Sequence, residues 1–288
     1  MFYERFAKSS SRRRRLIESI SGLKSVCSNE PEAPEDAPPS VAGTRLVLGI
    51  QFFNGTLGAA IEGCRQGGLV VIPSGPGLAG DLPRDGAYAE ALRRADLVLP
   101  DSGLMALFWR CFRFERIHRI SGYVMLKALL EERKIDQGAS FWVMPDAVQG
   151  EANRQWLQQS VGINIDAEDM YVAPLYAKTG QLTDDHLLER LKDRRPRWVF
   201  INLGGGVQER LGLYLRDNLG KESAIVCSGA ALAFLSGQQG KIPMWADRLY
   251  LGWLFRCFTN PRRFVPRYWR AWKLVWLLLR YGRRCPRA

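Results

Sequence analysis

Apolar positions along the 288-residue chain follow two kinds of pattern. Short continuous runs occur at Leu46–Ile50, Leu69–Ile72, Leu97–Leu99, Phe141–Met144, Trp198–Leu203 and Ala224–Cys227. Runs of this length are too short for helices and predict strands buried on both faces. Between them, apolar residues recur at helical spacing over residues 57–66, 87–95, 103–112, 123–133, 150–160, 184–193 and 207–218. Strands alternating with helices predict an α/β fold with a parallel sheet, since a parallel connection needs a crossover that a helix supplies. Ligand sites in such sheets lie beyond the carboxyl ends of the strands.

The ends of the chain differ from this body. Residues 29–43 hold four of the fifteen prolines and four acids. That composition cannot build a core and reads as a linker. It separates a basic N-terminal segment, residues 1–28, from an α/β domain over residues 44–240. Beyond Gly240 the residues Trp, Arg, Tyr and Leu dominate and no acid follows Asp247, which marks 241–288 as a C-terminal appendage. Asn260-Pro261 divides it, because proline cannot continue a helix and pushes its predecessor to extended conformations. In the second piece Arg267, Arg270, Lys273, Arg280 and Arg284 share one helical face, with Tyr268, Trp272, Val275, Trp276 and Leu279 largely opposite. A basic, Trp-rich amphipathic helix of this kind either lies in a lipid interface or packs its apolar face on its own domain.

Charge sharpens the division. Of the formal +12, residues 1–28 carry +5 and residues 248–288 carry +11, leaving −4 on residues 29–247. A positive field confined to the ends argues against a nucleic-acid-binding globule. Six scattered cysteines show no C-x-x-C and support neither a disulfide framework nor a zinc ribbon, which fits a reducing compartment. The stretch after Arg12–Arg15 is interrupted by polar residues and is no signal-peptide core. No apolar run reaches the length of a membrane span either. The expectation is a cytoplasmic protein whose membrane contact is made from the surface.

Three segments carry candidate chemistry. Gly75-Pro-Gly77-Leu-Ala-Gly80 matches G-x-G-x-x-G after a strand. The next helical pattern starts only near Ala87, however, so a plain glycine-rich loop is expected rather than a dinucleotide site. In Ala95-Asp-Leu-Val-Leu-Pro-Asp101-Ser-Gly103 a strand delivers a carboxylate to its carboxyl end. Asp101 is then either a reactive group or the cap of the following helix. Asp146 has a similar position and only the cap reading. Ile201-Asn-Leu-Gly204-Gly205-Gly206-Val-Gln208-Glu209-Arg210 runs from a strand through three glycines into a helix, and either cradles an anion on its amides or makes a bare turn. With only His118 and His186, neither a metal-ligand cluster nor a Ser-His-Asp arrangement is visible.

Taken in order over residues 45–270, these motifs resemble the WecG/TagA/CpsF glycosyltransferases, bacterial enzymes that add an N-acetylmannosaminyl or related residue to a polyprenyl-linked sugar. Ala-Asp-Leu-Val-Leu-Pro-Asp101-Ser-Gly is similar to the family's Ala-Asp-x-Val-x-Pro-Asp-Gly, and Arg119-Ile-Ser-Gly122 to its Arg-Val-Thr-Gly. Gly-Gly206-Val-Gln208-Glu209 resembles the Gly-x-Pro-Lys-Gln-Glu turn. Phe234-Leu-Ser-Gly237, Ile-Pro243-Met-Trp245, Gly-Trp253-Leu-Phe-Arg256 and Asn-Pro261-Arg-Arg263…Arg267-Tyr268 follow the family's C-terminal order. Gly75, Val124, Val207, Ala233 and Gly252 replace the family's usual Asn, Asp, Lys, Asp and Glu and mark a divergent member.

The resemblance implies a Rossmann-like parallel sheet flanked by helices, with the basic amphipathic C-terminal helical appendage attached. It implies inverting, metal-independent transfer from a UDP-sugar to a polyprenyl-diphosphate-linked acceptor in cell-envelope or exopolysaccharide synthesis, without a cofactor. Asp101 is the expected base and Gln208 its partner in catalysis. Gly75, Arg119, Gly206, Glu209, Arg256, Arg263 and Arg267 are the expected substrate contacts, the arginines compensating the diphosphate in place of a metal. The implied partners are the donor, the lipid-linked acceptor and an anionic membrane surface on the inner face of the cell membrane; nucleic acid is not among them, and a homo-oligomer is open. The alternative is a non-catalytic relative that binds nucleotide-sugar or lipid as an interaction module.

Overall fold

The computed structural model describes residues 43–131, 135, 139–238, 257, 258 and 261–286. It opens on a hairpin, β1 (Thr44–Val47) and β2 (Ile50–Phe53), paired antiparallel with Val47 opposite Ile50. The run Leu46–Ile50, expected as one strand, is therefore broken at its centre. Leu48 and Gly49 turn the chain at positive φ, 53° and 75°, the backbone that a two-residue hairpin turn requires. Leu48 is fully buried, so the apolar pattern runs straight through the turn and hides it.

The chain then alternates: α1 (Leu57–Arg65), β3 (Gly68–Val71), α2 (Gly75–Gly80), α3 (Gly86–Arg94), β4 (Leu97–Val98), α4 (Gly103–Phe112), α5 (Gly122–Glu131), β5 (Ser140–Met144), α6 (Ala147–Trp156), β6 (Met170–Val172), α7 (Asp185–Arg194), β7 (Trp198–Ile201), α8 (Val207–Leu219), β8 (Ala224–Cys227) and α9 (Ala231–Leu235). Strands β3 to β8 form one parallel sheet in the order β4-β3-β8-β7-β5-β6. This is the Rossmann-like α/β architecture expected. Alternate strand residues feed two cores. Leu69, Val71, Phe141, Val143, Val199, Ile201 and Ile225 pack with α2, α3, α4, α7 and α8. Val70, Trp142, Phe200 and Val226 pack on the other face with α1, α5 and α9.

Two further differences from the sequence reading have local causes. Gly75–Gly80, expected as a loop, is a short helix: Ser74 accepts from Gly77 N at 3.4 Å and Pro76 sits in the first turn, where its missing N–H costs nothing. Helix α6 begins at Ala147 rather than near residue 150 because Asp146 caps it, accepting from Gln149 N at 2.7 Å.

At the C-terminus, α10 (Pro261–Ala271) is followed by α11 (Lys273–Tyr281). Leu274, Leu277 and Leu278 of α11 enter the main core, and the helix packs against α2 and α4. Gly282 and Arg283 carbonyls then accept from Leu48 N at 2.9 Å and Gly49 N at 2.8 Å, pinning the hairpin turn to the end of the chain. The expected apolar face of this helix is split. Val275 joins the core, whereas Trp272, Trp276 and Leu279 stand exposed beside Lys273 and Arg280. Arg280 lies over the Trp276 ring at 5.3 Å. Among the described residues no helix is long and apolar enough to cross a membrane.

Candidate active site

The carboxyl ends of β3, β4, β5, β7 and β8 open into one cleft of about 200 Å³. Asp101 reaches it from the end of β4, Tyr123 from the start of α5, Gln149 from α6, and Gly204, Gly205, Gln208 and Glu209 from the β7–α8 turn. Ser228 to Ala231, following β8, close the opposite wall. Asn202 and Ser228 latch the strand ends together. Asn202 Nδ2 donates to Val143 O at 3.2 Å, and Ser228 Oγ donates to Asn202 Oδ1 at 2.9 Å, so the buried amide is satisfied across β5, β7 and β8.

Sequence left two roles open for Asp101, and the structure gives the capping role to its neighbour. The cap of α4 is Ser102, whose Oγ accepts from Met105 N at 3.3 Å. Asp101 is instead engaged by Arg119, which donates from Nε to the Asp101 carbonyl at 2.6 Å and from Nη2 to Oδ1 at 3.5 Å. The two residues are eighteen apart in sequence. They meet because Ile120 N bonds Pro100 O at 3.1 Å, laying the segment before α5 along the end of β4. Gly75 stands behind this point rather than on the cleft wall: a Cβ there would lie 2.9 Å from Ser102 Oγ and 3.9 Å from Leu274 of α11.

The glycine turn before α8 is filled by the protein's own carboxylate. Gly206, at φ 89°, donates its N–H to Glu209 Oε2 at 2.6 Å. Gln208 Nε2 donates to Glu209 Oε1 at 3.2 Å. Glu209 is buried, and desolvation pushes its carboxyl from the usual 4.5 up to about 7 against the lowering pull of these hydrogen bonds, with the Asp81 charge adding to the rise. Gln208 Oε1 is buried and has no partner among the described residues.

Beneath the turn, Arg210 is a buried cation. It donates to Gly206 O at 2.9 Å, Gly180 O at 2.7 Å and Ala177 O at 2.8 Å, and lies 3.4 Å from Asp85. Asp85 in turn accepts from Ala87 N at 3.1 Å and Gly180 N at 3.2 Å. This pair ties the starts of α3 and α8 to the 177–180 loop and sets the floor under the turn.

Thus Asp101, Gln208 and Glu209 share one cleft, Arg119 holds Asp101, and Gly206 anchors Glu209. Arg263 and Arg267 fall on α10 with their side chains outside the described residues, and Arg256 lies outside them altogether. Sequence reasoning did not single out Ser74, Tyr123, Gln149, Asn202 or Ser228. Each lies one to five residues beyond a strand end or opens a helix there, which is the signal that finds them. Among the described residues no group of three or more His, Cys, Asp or Glu side chains is placed to hold a metal ion.

Comparison with known proteins shows the family. Residues 45–288 match the model of the glycosyl transferase WecG/TagA/CpsF family. The chain is 23% identical over 239 residues to an N-acetylglucosaminyldiphosphoundecaprenol N-acetyl-beta-D-mannosaminyltransferase of Bacillus subtilis (strain 168), covering 78% of this chain and 89% of the relative. It is 20% identical over 225 residues to the enzyme of the same name from Staphylococcus aureus (strain NCTC 8325 / PS 47), covering 75% and 85%. With a Rossmann-like sheet, a cleft at its carboxyl edge and a family match over nearly all of the described region, the chain belongs to the WecG/TagA/CpsF family of glycosyltransferases.

Proposed function

We propose that this protein moves a sugar, N-acetylmannosamine or a related one, from a UDP-sugar to a polyprenyl-diphosphate-linked acceptor, with inversion at the anomeric carbon. In a single displacement the acceptor hydroxyl oxygen attacks the anomeric carbon, its proton passes to the Asp101 carboxylate, and the bond to UDP breaks with its electron pair leaving on the diphosphate. The observation that carries this reading is Asp101 itself: released from capping by Ser102 and held by Arg119, it lines the same cleft as Gln208 and Glu209. Arg119, with Arg256, Arg263 and Arg267 from the C-terminal segment, compensates the charge of the departing diphosphate, a task for which the guanidinium fork is suited.

The acceptor is a lipid, and the exposed face of α11 supports a matching location on the inner face of the cell membrane. Trp269 of α10, Trp272 between the helices, and Trp276 and Leu279 of α11 are exposed, as are Lys273 and Arg280, and the adjoining α4 and the turn after it expose Leu107, Phe112 and Phe114. Apolar rings among cations suit the headgroup region of an anionic bilayer. The decisive experiment for the reaction is transfer from UDP-N-acetylmannosamine to an N-acetylglucosaminyl-diphosphopolyprenol, with the anomer of the product read by NMR. Asp101→Asn should lower the rate about 10²- to 10⁴-fold; retained transfer in that variant, or retention of configuration in the wild type, overturns the assignment.

A further inference from the structure

The Gln208 side chain has a polarity that the structure assigns. An amide is nearly symmetrical in shape, but with Glu209 ionised only one orientation is compatible with its neighbours. Glu209 Oε2 is taken by the Gly206 N–H at 2.6 Å, and above about pH 7, where the carboxyl is ionised and can only accept, the remaining oxygen demands a donor from Gln208. Nε2 supplies it at 3.2 Å. That leaves Oε1 as a buried acceptor with no partner among the described residues. The same amide lies against Gly229 on the facing wall of the cleft, where a Cβ would sit 3.4 Å from Nε2 and 3.5 Å from Oε1. Buried polar atoms without partners are rare in folded proteins and call for a ligand or an ordered water.

We infer that Glu209 is a positioning residue that fixes the Gln208 amide with its oxygen toward the substrate, so that the site recognises a hydrogen-bond donor, a sugar hydroxyl or an acetamido N–H, and rejects an acceptor at that point. This rests on the glycosyltransferase reading and deepens it, because it gives one point of the pocket a sign. The other charged and titratable groups facing Glu209 are Asp81 at the end of α2, Cys227 at the end of β8 and, across the cleft, Asp101. None is a donor cation that could take Gln208's place.

The test exchanges the polarity within the pair. In Glu209→Gln the new amide still accepts from Gly206 N–H, but its NH₂ now meets Gln208, which must turn its own oxygen inward and present NH₂ to the substrate. In the double variant Gln208→Glu/Glu209→Gln, the carboxylate at 208 accepts from the new amide and keeps a second oxygen toward the cleft. Both kcat/KM for transfer and the affinity for UDP-N-acetylmannosamine by calorimetry are measured, with thermal melting of each variant. Glu209→Gln should lose about 10- to 100-fold in kcat/KM without a drop in melting temperature, and the double variant should recover most of it. A Glu209→Gln enzyme as active as wild type, or a double variant no better than the single one, overturns the inference. A wild-type protein that neither binds nor turns over UDP-N-acetylmannosamine or any of a panel of related UDP-sugars refutes the underlying reading, and does so before any variant is compared.

Discussion

Replacing Glu209 with Gln should stabilise the fold at alkaline pH, which is the opposite of what removing an ordinary helix-capping carboxylate does. The carboxyl is displaced from 4.5 in the open chain to about 7 in the folded protein, chiefly by desolvation. Between those values the folded state therefore binds more protons than the unfolded state, so stability falls as pH rises through the window. At pH 8 the whole penalty is present, about 3 kcal/mol at 1.36 kcal/mol for each tenfold change in proton affinity. At pH 5 most of the folded carboxyl is neutral and the penalty shrinks to under about 1 kcal/mol. A neutral isostere that still accepts from Gly206 escapes the penalty while keeping the turn. Urea unfolding of wild type and Glu209→Gln at both pH values checks this, with the slope on denaturant confirming that both unfold the same surface. The variant should be more stable by up to about 3 kcal/mol at pH 8, with the gap narrowing at pH 5. If the variant is less stable at pH 8, or the gap is independent of pH, the carboxylate is a net stabiliser and the reasoning from burial is wrong. Combined with the expected loss of transfer, a gain in stability would mark Glu209 as a group kept for the site at the expense of the fold.

Three further outcomes follow from the same geometry. Arg210→Met leaves Asp85 buried beside three carbonyls that have lost their donor, and should destabilise by about 3–5 kcal/mol in the same urea assay. Ser102→Ala removes the cap of α4 and should cost about 1 kcal/mol of stability, whereas Asp101→Asn should spare stability and lose rate; the reverse pattern would return Asp101 to a capping role. Trp272→Ala/Trp276→Ala, at side chains 63% and 56% exposed, should weaken sedimentation with anionic liposomes while leaving the melting temperature within a few degrees, and unchanged sedimentation would remove α11 from the membrane contact.

The sheet was legible because β5, β7 and β8 are buried at every position, and a run such as Trp198–Ile201 has no other use in a domain of this size. What escaped was decided by neighbours rather than by local pattern. Leu48 is apolar, buried and yet turns the chain, because the C-terminal carbonyls of Gly282 and Arg283 hold its backbone and that of Gly49. The glycines and proline of Gly75–Gly80 disfavour a helix in isolation, and one forms where α4 and α11 pack around it. β6 is three residues long at the sheet edge and carries too little pattern to be seen. At the site, the strand-end carboxylate and the glycine turn were readable, while the choice between Asp101 and Ser102 as cap was not, since adjacent residues of equal capping strength differ only in backbone direction. The coupling of Gln208 to Glu209 was equally hidden, because neighbouring residues on a helix do not ordinarily face each other.

The last helix packs on its own domain, as one of its two candidate uses requires, and leaves room for the other. Apolar residues extend around more of α11 than one contact can cover, so Leu274, Leu277 and Leu278 serve the core while the tryptophans and Leu279 remain outside among the cations. Each buried leucine contributes roughly 1.5–3 kcal/mol. Deleting the helix and the residues after it would also break the hydrogen bonds from Leu48 and Gly49 and the Arg283–Glu115 ion pair at 2.6 Å. The summed loss is comparable to the roughly 5–15 kcal/mol that stabilises a typical domain. A truncated protein that fails to bind liposomes or to transfer sugar would therefore report unfolding, not the loss of a membrane anchor. Substitutions confined to the exposed tryptophans leave the leucine face and the hairpin lock intact, and so separate the part of the C-terminal segment that holds the fold together from the part proposed to meet lipid.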